Sequence, residues 1–131
     1  MTGHAAGRAS ECVLIVDDEE LIRDTLSELV EMAGCSAICA ANGAEALRML
    51  AERHACLVIL DLKMPVMNGF EFLAAIAREP AFADLPVVIS TSAPQHAPAG
   101  FPVIPKPIDI ESVFRLVRRN CSCAAPTASA E

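Results

Sequence analysis

Short apolar runs alternate with stretches of helical periodicity along the chain. Cys12–Val16 is uninterrupted and stops at Asp17-Asp18, the pattern of a strand buried on both faces. From Glu19 to Ala33, the residues Ile22, Leu26, Leu29, Val30 and Ala33 recur at the spacing of one helix face, and Gly34 stands where a helix ends. Ser36–Ala40 reads as a second, weaker strand. Asn42, with Glu45 three residues on, opens a helix that runs to about Glu52. Cys56–Leu60 is a third strand, ending at Asp61. Asn68-Gly69 marks a turn, and Phe70–Arg78 is a third helix that Pro80 closes. Val87–Ser90 is a fourth strand, ending at Thr91, and Val103–Ile104 a short fifth, followed by Lys106. Asp109 then caps a last helix carrying Ile110, Val113, Phe114 and Val117 on one face.

Strands alternating with helices predict right-handed βαβ units and a parallel sheet covered on both faces. Ligands of such sheets gather at the carboxyl ends of the strands. That rule selects Asp17 and Asp18 after strand 1, Asp61 after strand 3, Thr91 after strand 4 and Lys106 after strand 5. Carboxylates converging on one edge repel unless protonated or bridged by a cation. Oxygen ligands suit a hard cation, Mg²⁺ before Ca²⁺, with open positions for phosphate. Lys106 adds a point charge suited to a phosphoryl oxygen and Thr91 a hydroxyl donor, so the set describes an aspartyl-phosphate site with the carboxylate as nucleophile. Each residue also has a plain explanation. The run Asp17-Asp18-Glu19-Glu20 suits a solvated helix start, Asp61 a loop cap, Thr91 a strand-end hydroxyl and Lys106 a surface charge. Their joint placement at four strand ends is what favours a site.

Composition narrows the remaining classes. The chain has 131 residues, enough for one domain, and a hydrophobic fraction of 53%, too high for a disordered protein. A formal charge of −7, with no Trp or Tyr, argues against phosphate-backbone binding and base stacking, so no nucleic-acid partner is expected. Apolar runs such as Ala55–Leu60 stop at six residues, whereas a membrane span needs about 20. No membrane partner and a cytoplasmic location are expected. In that compartment Cys12, Cys35, Cys39, Cys56, Cys121 and Cys123 predict free thiols rather than a disulfide framework. Cys121-Ser122-Cys123 suggests a metal, but His4, His54 and His96 are scattered and a closed zinc site needs four ligands, so a reduced tail is expected. Residues 1–10 read as a disordered leader, 11–120 as the folded domain and 121–131 as a flexible tail.

The segments VLIVDDEELIRDTLSELVEMAG, ANGAEALRML, LVILDLKMPVMNGFEFL, LPVVISTSA and KPI, in that order, resemble the receiver domain of bacterial two-component response regulators. The resemblance covers about residues 12–119 and implies a flavodoxin-like α/β fold, a doubly wound five-stranded parallel sheet of order 2-1-3-4-5. It implies that Asp61 is the phosphoacceptor, that Asp18 binds Mg²⁺ directly with Asp17 as its partner, and that Lys63 lends a backbone carbonyl. Thr91 matches the switch hydroxyl, with Ser92 beside it. Lys106 matches the phosphoryl-pairing lysine, and Lys106–Pro107 matches the usual cis peptide.

The chain also departs from the family pattern. Only fifteen positions separate Thr91 from Lys106, with Pro94, Pro98 and Gly100 between them, so the family's fourth helix should be shortened or absent. The aromatic expected three residues before the lysine is replaced by Val103, with Phe101 two residues earlier. The 92–102 segment is therefore expected to be irregular, to leave an apolar patch beside Thr91 and Val103, and to reorder on phosphorylation in place of an aromatic relay. The implied function is a stand-alone phosphoacceptor, not an enzyme with a separate substrate. It is fed by a sensor histidine kinase or histidine phosphotransfer protein and signals to a downstream protein. The alternative is a pseudo-receiver, a docking module that takes up no phosphate. A haloacid-dehalogenase-type phosphatase is disfavoured, because Lys63 stands where that chemistry needs a second Asp.

Overall fold

All five apolar runs become parallel strands in the computed structural model, which describes residues 11–124. In chain order the elements are β1 (Glu11–Val16), α1 (Glu20–Met32), β2 (Ser36–Ala40), α2 (Gly43–Glu52), β3 (His54–Leu60), α3 (Gly69–Ala77), β4 (Val87–Thr91), β5 (Val103–Pro105) and α4 (Ile110–Asn120). Single 3₁₀ turns occupy Pro80–Phe82 and Pro94–His96. The sheet order is β2-β1-β3-β4-β5, as the resemblance implied.

The central strands explain the uninterrupted apolar runs, because both their faces are covered. Val13, Ile15, Leu57, Ile59, Val88 and Ile104 face one layer, with Leu26, Leu29 and Val30 of α1 and Val113 and Val117 of α4. Leu14, Val16, Val58, Leu60 and Ile89 alternate to the other face, against Ala46 and Leu50 of α2 and Phe72 and Ile76 of α3. Side-chain caps start three helices: Asn42 accepts from the Glu45 amide, Asn68 forms a capping box with Glu71, and Asp109 accepts from the Ser112 amide.

The crossover from β4 to β5 contains one 3₁₀ turn and no α-helix, which bears out the shortened fourth helix. The apolar patch expected beside Thr91 and Val103 is not found. Ala97, Phe101 and Val103 are partly buried and pack against the core layer of α2 and α3. Phe101 packs partly buried against this layer and, with Leu73, Ile76 and Val87, lines a cavity of about 350 Å³. Among the described residues the exposed large apolar side chains are Leu21, Met32, Val66, Phe70 and Ile110, none of them in this crossover.

The expectation of free thiols is also corrected. Cys35 is joined to Cys123 and Cys56 to Cys121 by disulfides, with Cα–Cα distances of 5.2 and 5.3 Å. The partners are 88 and 65 residues apart, so no local spacing announces them. The fold brings them together, because the helices α1 and α4 end at the edge of the sheet where β3 begins. Cys121, placed in the tail by the sequence reading, is buried. The proposed leader and residues 125–131 lie outside the described residues.

One glycine ties this scaffold to the strand end that follows β3. Gly69 is buried at the start of α3, and its amide donates to the Leu62 carbonyl at 2.9 Å. A Cβ there would meet the Asp61 carbonyl oxygen and would lie 2.8 Å from the Leu62 Cα, both backbone atoms that cannot swing aside. Gly69→Ala is therefore expected to cost about 1–3 kcal/mol in urea unfolding, the range for overpacking. A loss below about 0.5 kcal/mol, the scale of a neutral surface change, contradicts that close approach.

Candidate functional site

The strand register sets the site. Val16 lies opposite Leu60, so Asp17 and Asp61 leave neighbouring strands side by side. The Asp61 amide donates to the Val16 carbonyl at 2.8 Å, and the Asp17 amide to the Ala40 carbonyl at 3.1 Å. Asp18 follows on the exposed turn before α1. Carboxylate oxygens of Asp17, Asp18 and Asp61 lie within 4.8 Å of one another. Thr91 pairs with Pro105 across β4 and β5, and the Lys106 amide donates to the Thr91 carbonyl at 2.9 Å. The Lys106 ammonium then reaches across to Asp17 Oδ2 at 2.9 Å, Asp61 Oδ1 at 3.6 Å and Glu19 Oε1 at 3.9 Å.

Burial makes these charges count. Asp17 is 1% exposed and Asp61 8%, so water screens their repulsion poorly. Burial, and next the adjacent Asp17 carboxylate, push the Asp61 pKa up to about 6. The Lys106 charge and the Leu62 amide, which donates to Asp61 Oδ1 at 2.9 Å, act against that rise. Burial by itself lowers the Lys106 pKa, but the Asp17 hydrogen bond and the charges of Asp17, Asp61 and Glu19 together outweigh it and raise the value. Three oxygen-bearing groups held this close, one of them with its ionised form disfavoured, suit a hard divalent cation.

Of the positions selected from strand ends, Asp17, Asp18, Asp61 and Lys106 meet directly. Thr91 is buried at the end of β4, and its Oγ accepts from the Ala93 amide at 3.0 Å. Its hydroxyl hydrogen is left to point elsewhere. Ser92 and Lys63 are exposed, Lys63 two residues past Asp61. The Lys106–Pro107 peptide is cis. Two contributors were not singled out from the sequence. The Glu19 amide donates to Asp17 Oδ1 at 2.9 Å while its carboxylate adds to the field at Lys106. Arg23 Nη1 donates to the Asp17 carbonyl at 2.7 Å, fixing the turn that carries both aspartates. The acidic run marked Glu19 only as helix-start charge, and nothing local marked Arg23.

A 2-1-3-4-5 sheet with carboxylates, a lysine and a hydroxyl at its carboxyl edge defines a flavodoxin-like α/β domain with an acidic strand-end site. The chain matches the response regulator receiver domain over residues 13–118 and belongs to that family. Protein PilG of Pseudomonas aeruginosa is 34% identical over 80 residues, covering 61% of this chain and 59% of PilG. A 14.6 kDa protein of Leptolyngbya boryana is 31% identical over 123 residues, with 88% and 94% covered. The chain spans 35% of a protein-glutamate methylesterase/protein-glutamine glutaminase of Hahella chejuensis, at 36% identity. Among solved structures, the chemotaxis response regulator CheY4 of Vibrio cholerae superposes with a TM-score of 0.75 at 29% identity, covering 84% of this chain and 97% of that one. A CheY-like receiver domain from Methylobacillus flagellatus also gives 0.75, at 25% identity, with 83% and 97% covered.

The raised Asp61 pKa has a defined sign. Between about 3.8 and about 6 the folded chain holds the Asp61 proton while the unfolded chain releases it, so this group's contribution to stability falls as pH rises through that window. Asp61→Asn removes the penalty and keeps an oxygen for the Leu62 amide. In chelator-treated protein at pH 8 the variant is expected to be about 1–2 kcal/mol more stable, after allowing for solvent screening, or roughly 3–5 °C in Tm. The advantage shrinks below pH 6 and is gone near pH 3.5. Equal melting curves at pH 8 contradict it.

Proposed function

We propose that this receiver accepts a phosphoryl group on Asp61 from a phosphohistidine, in a Mg²⁺-dependent reaction, and passes the signal on by protein contact. The observation that carries this is the placement of Asp61, buried at the end of β3 with a lysine ammonium 3.6 Å from its Oδ1 and two further carboxylates within 4.8 Å. Family membership and the likeness to a chemotaxis response regulator support it.

In the transfer an ionised Asp61 oxygen forms the new O–P bond. The P–N bond to the donor imidazole breaks, and its electron pair leaves with the imidazole, which takes up a proton. Asp17, Asp18, Asp61 and the Lys63 backbone carbonyl would hold Mg²⁺, which when bound neutralises charge on the phosphoryl oxygens. Lys106 offers its ammonium to one phosphoryl oxygen, and Thr91 turns its hydroxyl hydrogen to another. Because Thr91 Oγ accepts from Ala93, its movement draws Ser92 and Ala93 along. The one-turn crossover, lacking a helix to resist this, is the segment that reorders.

The partners on this reading are a sensor histidine kinase or a histidine phosphotransfer protein upstream and a protein target downstream, in the cytoplasm. No helix among the described residues is long and apolar enough to cross a membrane. Turnover of a separate substrate is not expected on this reading.

Incubation with acetyl phosphate and Mg²⁺ is expected to add one phosphoryl mass to the intact chain, removable by hydroxylamine. Asp61→Asn abolishes it, and Asp18→Ala slows it by about 10-fold or more, the scale for a damaged metal site. Equal labelling of Asp61→Asn and the parent overturns the phosphoacceptor. No labelling of a folded parent points to the pseudo-receiver instead. Hydrogen exchange across 92–102 is expected to change when a beryllium fluoride mimic is added, and identical exchange rejects the reordering.

A further inference from the structure

A second cluster, of sulfur, lies at the opposite edge of the sheet. Cys35 follows α1, Cys56 lies near the start of β3, and Cys121 and Cys123 follow α4. The sulfurs of Cys35, Cys121 and Cys123 lie within 4.8 Å of one another. That of Cys56 is bonded to Cys121 and lies within 4.8 Å of Cys123. Cys35, Cys56 and Cys121 are buried and Cys123 is half-buried. Two separate staples do not require this adjacency, since one bond from either Cys121 or Cys123 already anchors the segment after α4. Four thiolates at about 2.3 Å from a tetrahedral Zn²⁺ place their sulfurs about 3.8 Å apart, below the 4.8 Å bound that holds for the non-bonded pairs Cys35–Cys121, Cys121–Cys123 and Cys56–Cys123.

We propose that these four cysteines form a tetrathiolate Zn²⁺ site in the reduced chain, and that the paired disulfides are its oxidised, metal-free state. Conversion needs a two-electron reductant, such as a dithiol. Two equivalents of a dithiol supply four electrons and four protons, break both S–S bonds and leave as disulfides themselves. Zn²⁺ then displaces the four thiol protons and forms four Zn–S bonds. The assembled centre carries a formal charge of −2. Arg118 and Arg119, in the last turn of α4 just before Cys121, supply positive charge at this end of the molecule.

The surroundings suit entry and exclude rivals. Cys56 opens onto a cavity of about 490 Å³ that Glu11, Arg53 and His54 also line, a route for metal and reductant. The Glu11 carboxylate lies within 4.8 Å of Cys56 and Cys123 but accepts a hydrogen bond from the Ser122 hydroxyl at 2.8 Å, which holds it as a neighbour to the sulfur cluster. Soft sulfur ligands select Zn²⁺, whereas the carboxylates at the far edge select a hard ion, so the two sites do not compete for one metal. A bound Zn²⁺ joins the same three segments that the disulfides join, so the end of α4 stays anchored in either redox state.

The test uses the full chain, reduced with a phosphine, desalted anaerobically and given one equivalent of Zn²⁺. Native mass spectrometry is expected to show one Zn²⁺ per chain, retained against a chromophoric chelator. Cys35→Ser and Cys123→Ser are expected to weaken binding by about 100-fold or more, as for loss of ligand geometry. Cys12→Ser, Cys39→Ser and Asp61→Asn should leave it unchanged. Should the serine variants fail to fold, the parent loaded with Co²⁺ still decides, since a tetrahedral thiolate site gives intense d–d and sulfur-to-cobalt absorption. Absence of that absorption, loss of zinc to the chelator, or zinc released by Asp61→Asn overturns the proposal.

Discussion

Three carboxylates share one end of the sheet, and the Lys106 ammonium offsets part of their repulsion. It sits 2.9 Å from Asp17 and 3.6 Å from Asp61, inside a site where water screens little. Asp17 and Lys106 are 89 positions apart, and β3 and β4 lie between their strands. The contact therefore closes only when β1, β3, β4 and β5 stand in their observed order. One cation against several anions leaves the site short of positive charge. Burial first, and then that deficit, hold the Asp61 pKa up at about 6, an arrangement that suits a hard cation.

The surrounding segments hold this crowded edge in place. Arg23 and the Glu19 amide fix the turn that presents Asp17, while the α3 start packs against the backbone of Asp61 through Gly69. The Gly43 amide donates to the Met67 carbonyl at 2.8 Å, tying the start of α2 to the loop that follows Asp61. The contrast is with Thr91. Its side chain is bonded only into its own turn, and the segment beyond it folds as one 3₁₀ turn and a returning Phe101. The acidic side of the site is braced by helices, and the hydroxyl side is joined to the least regular crossover.

The strands and the polar residues at their ends were legible because their signals are local, whereas the strand order came only from the family resemblance. Apolar runs end at Asp17, Asp61 and Thr91, and the parallel arrangement turns strand ends into a shared edge. Pro94 and Pro98 announced the missing helix for a local reason too. What could not be read depends on distance along the chain. That Ala97, Phe101 and Val103 pack partly buried against the core layer depends on the loop path, which no local pattern shows. Cys35 and Cys56 look like core residues in their own segments. Only the fold shows that they face Cys121 and Cys123, 65 to 88 positions away. Arg23 carries no mark distinguishing it from other surface arginines until its bond to the Asp17 carbonyl is seen.

The central claim is that the charge-deficient edge makes the Asp61 carboxylate the nucleophile for phosphorus. The most direct measurement is reductive trapping: borohydride converts an aspartyl phosphate to homoserine, and peptide mass spectrometry then locates the converted residue. After treatment with a phosphodonor and Mg²⁺, homoserine is expected at position 61 and at no other aspartate. Homoserine at Asp17 or Asp18, or none in a chain shown to be folded and metal-loaded, contradicts the account.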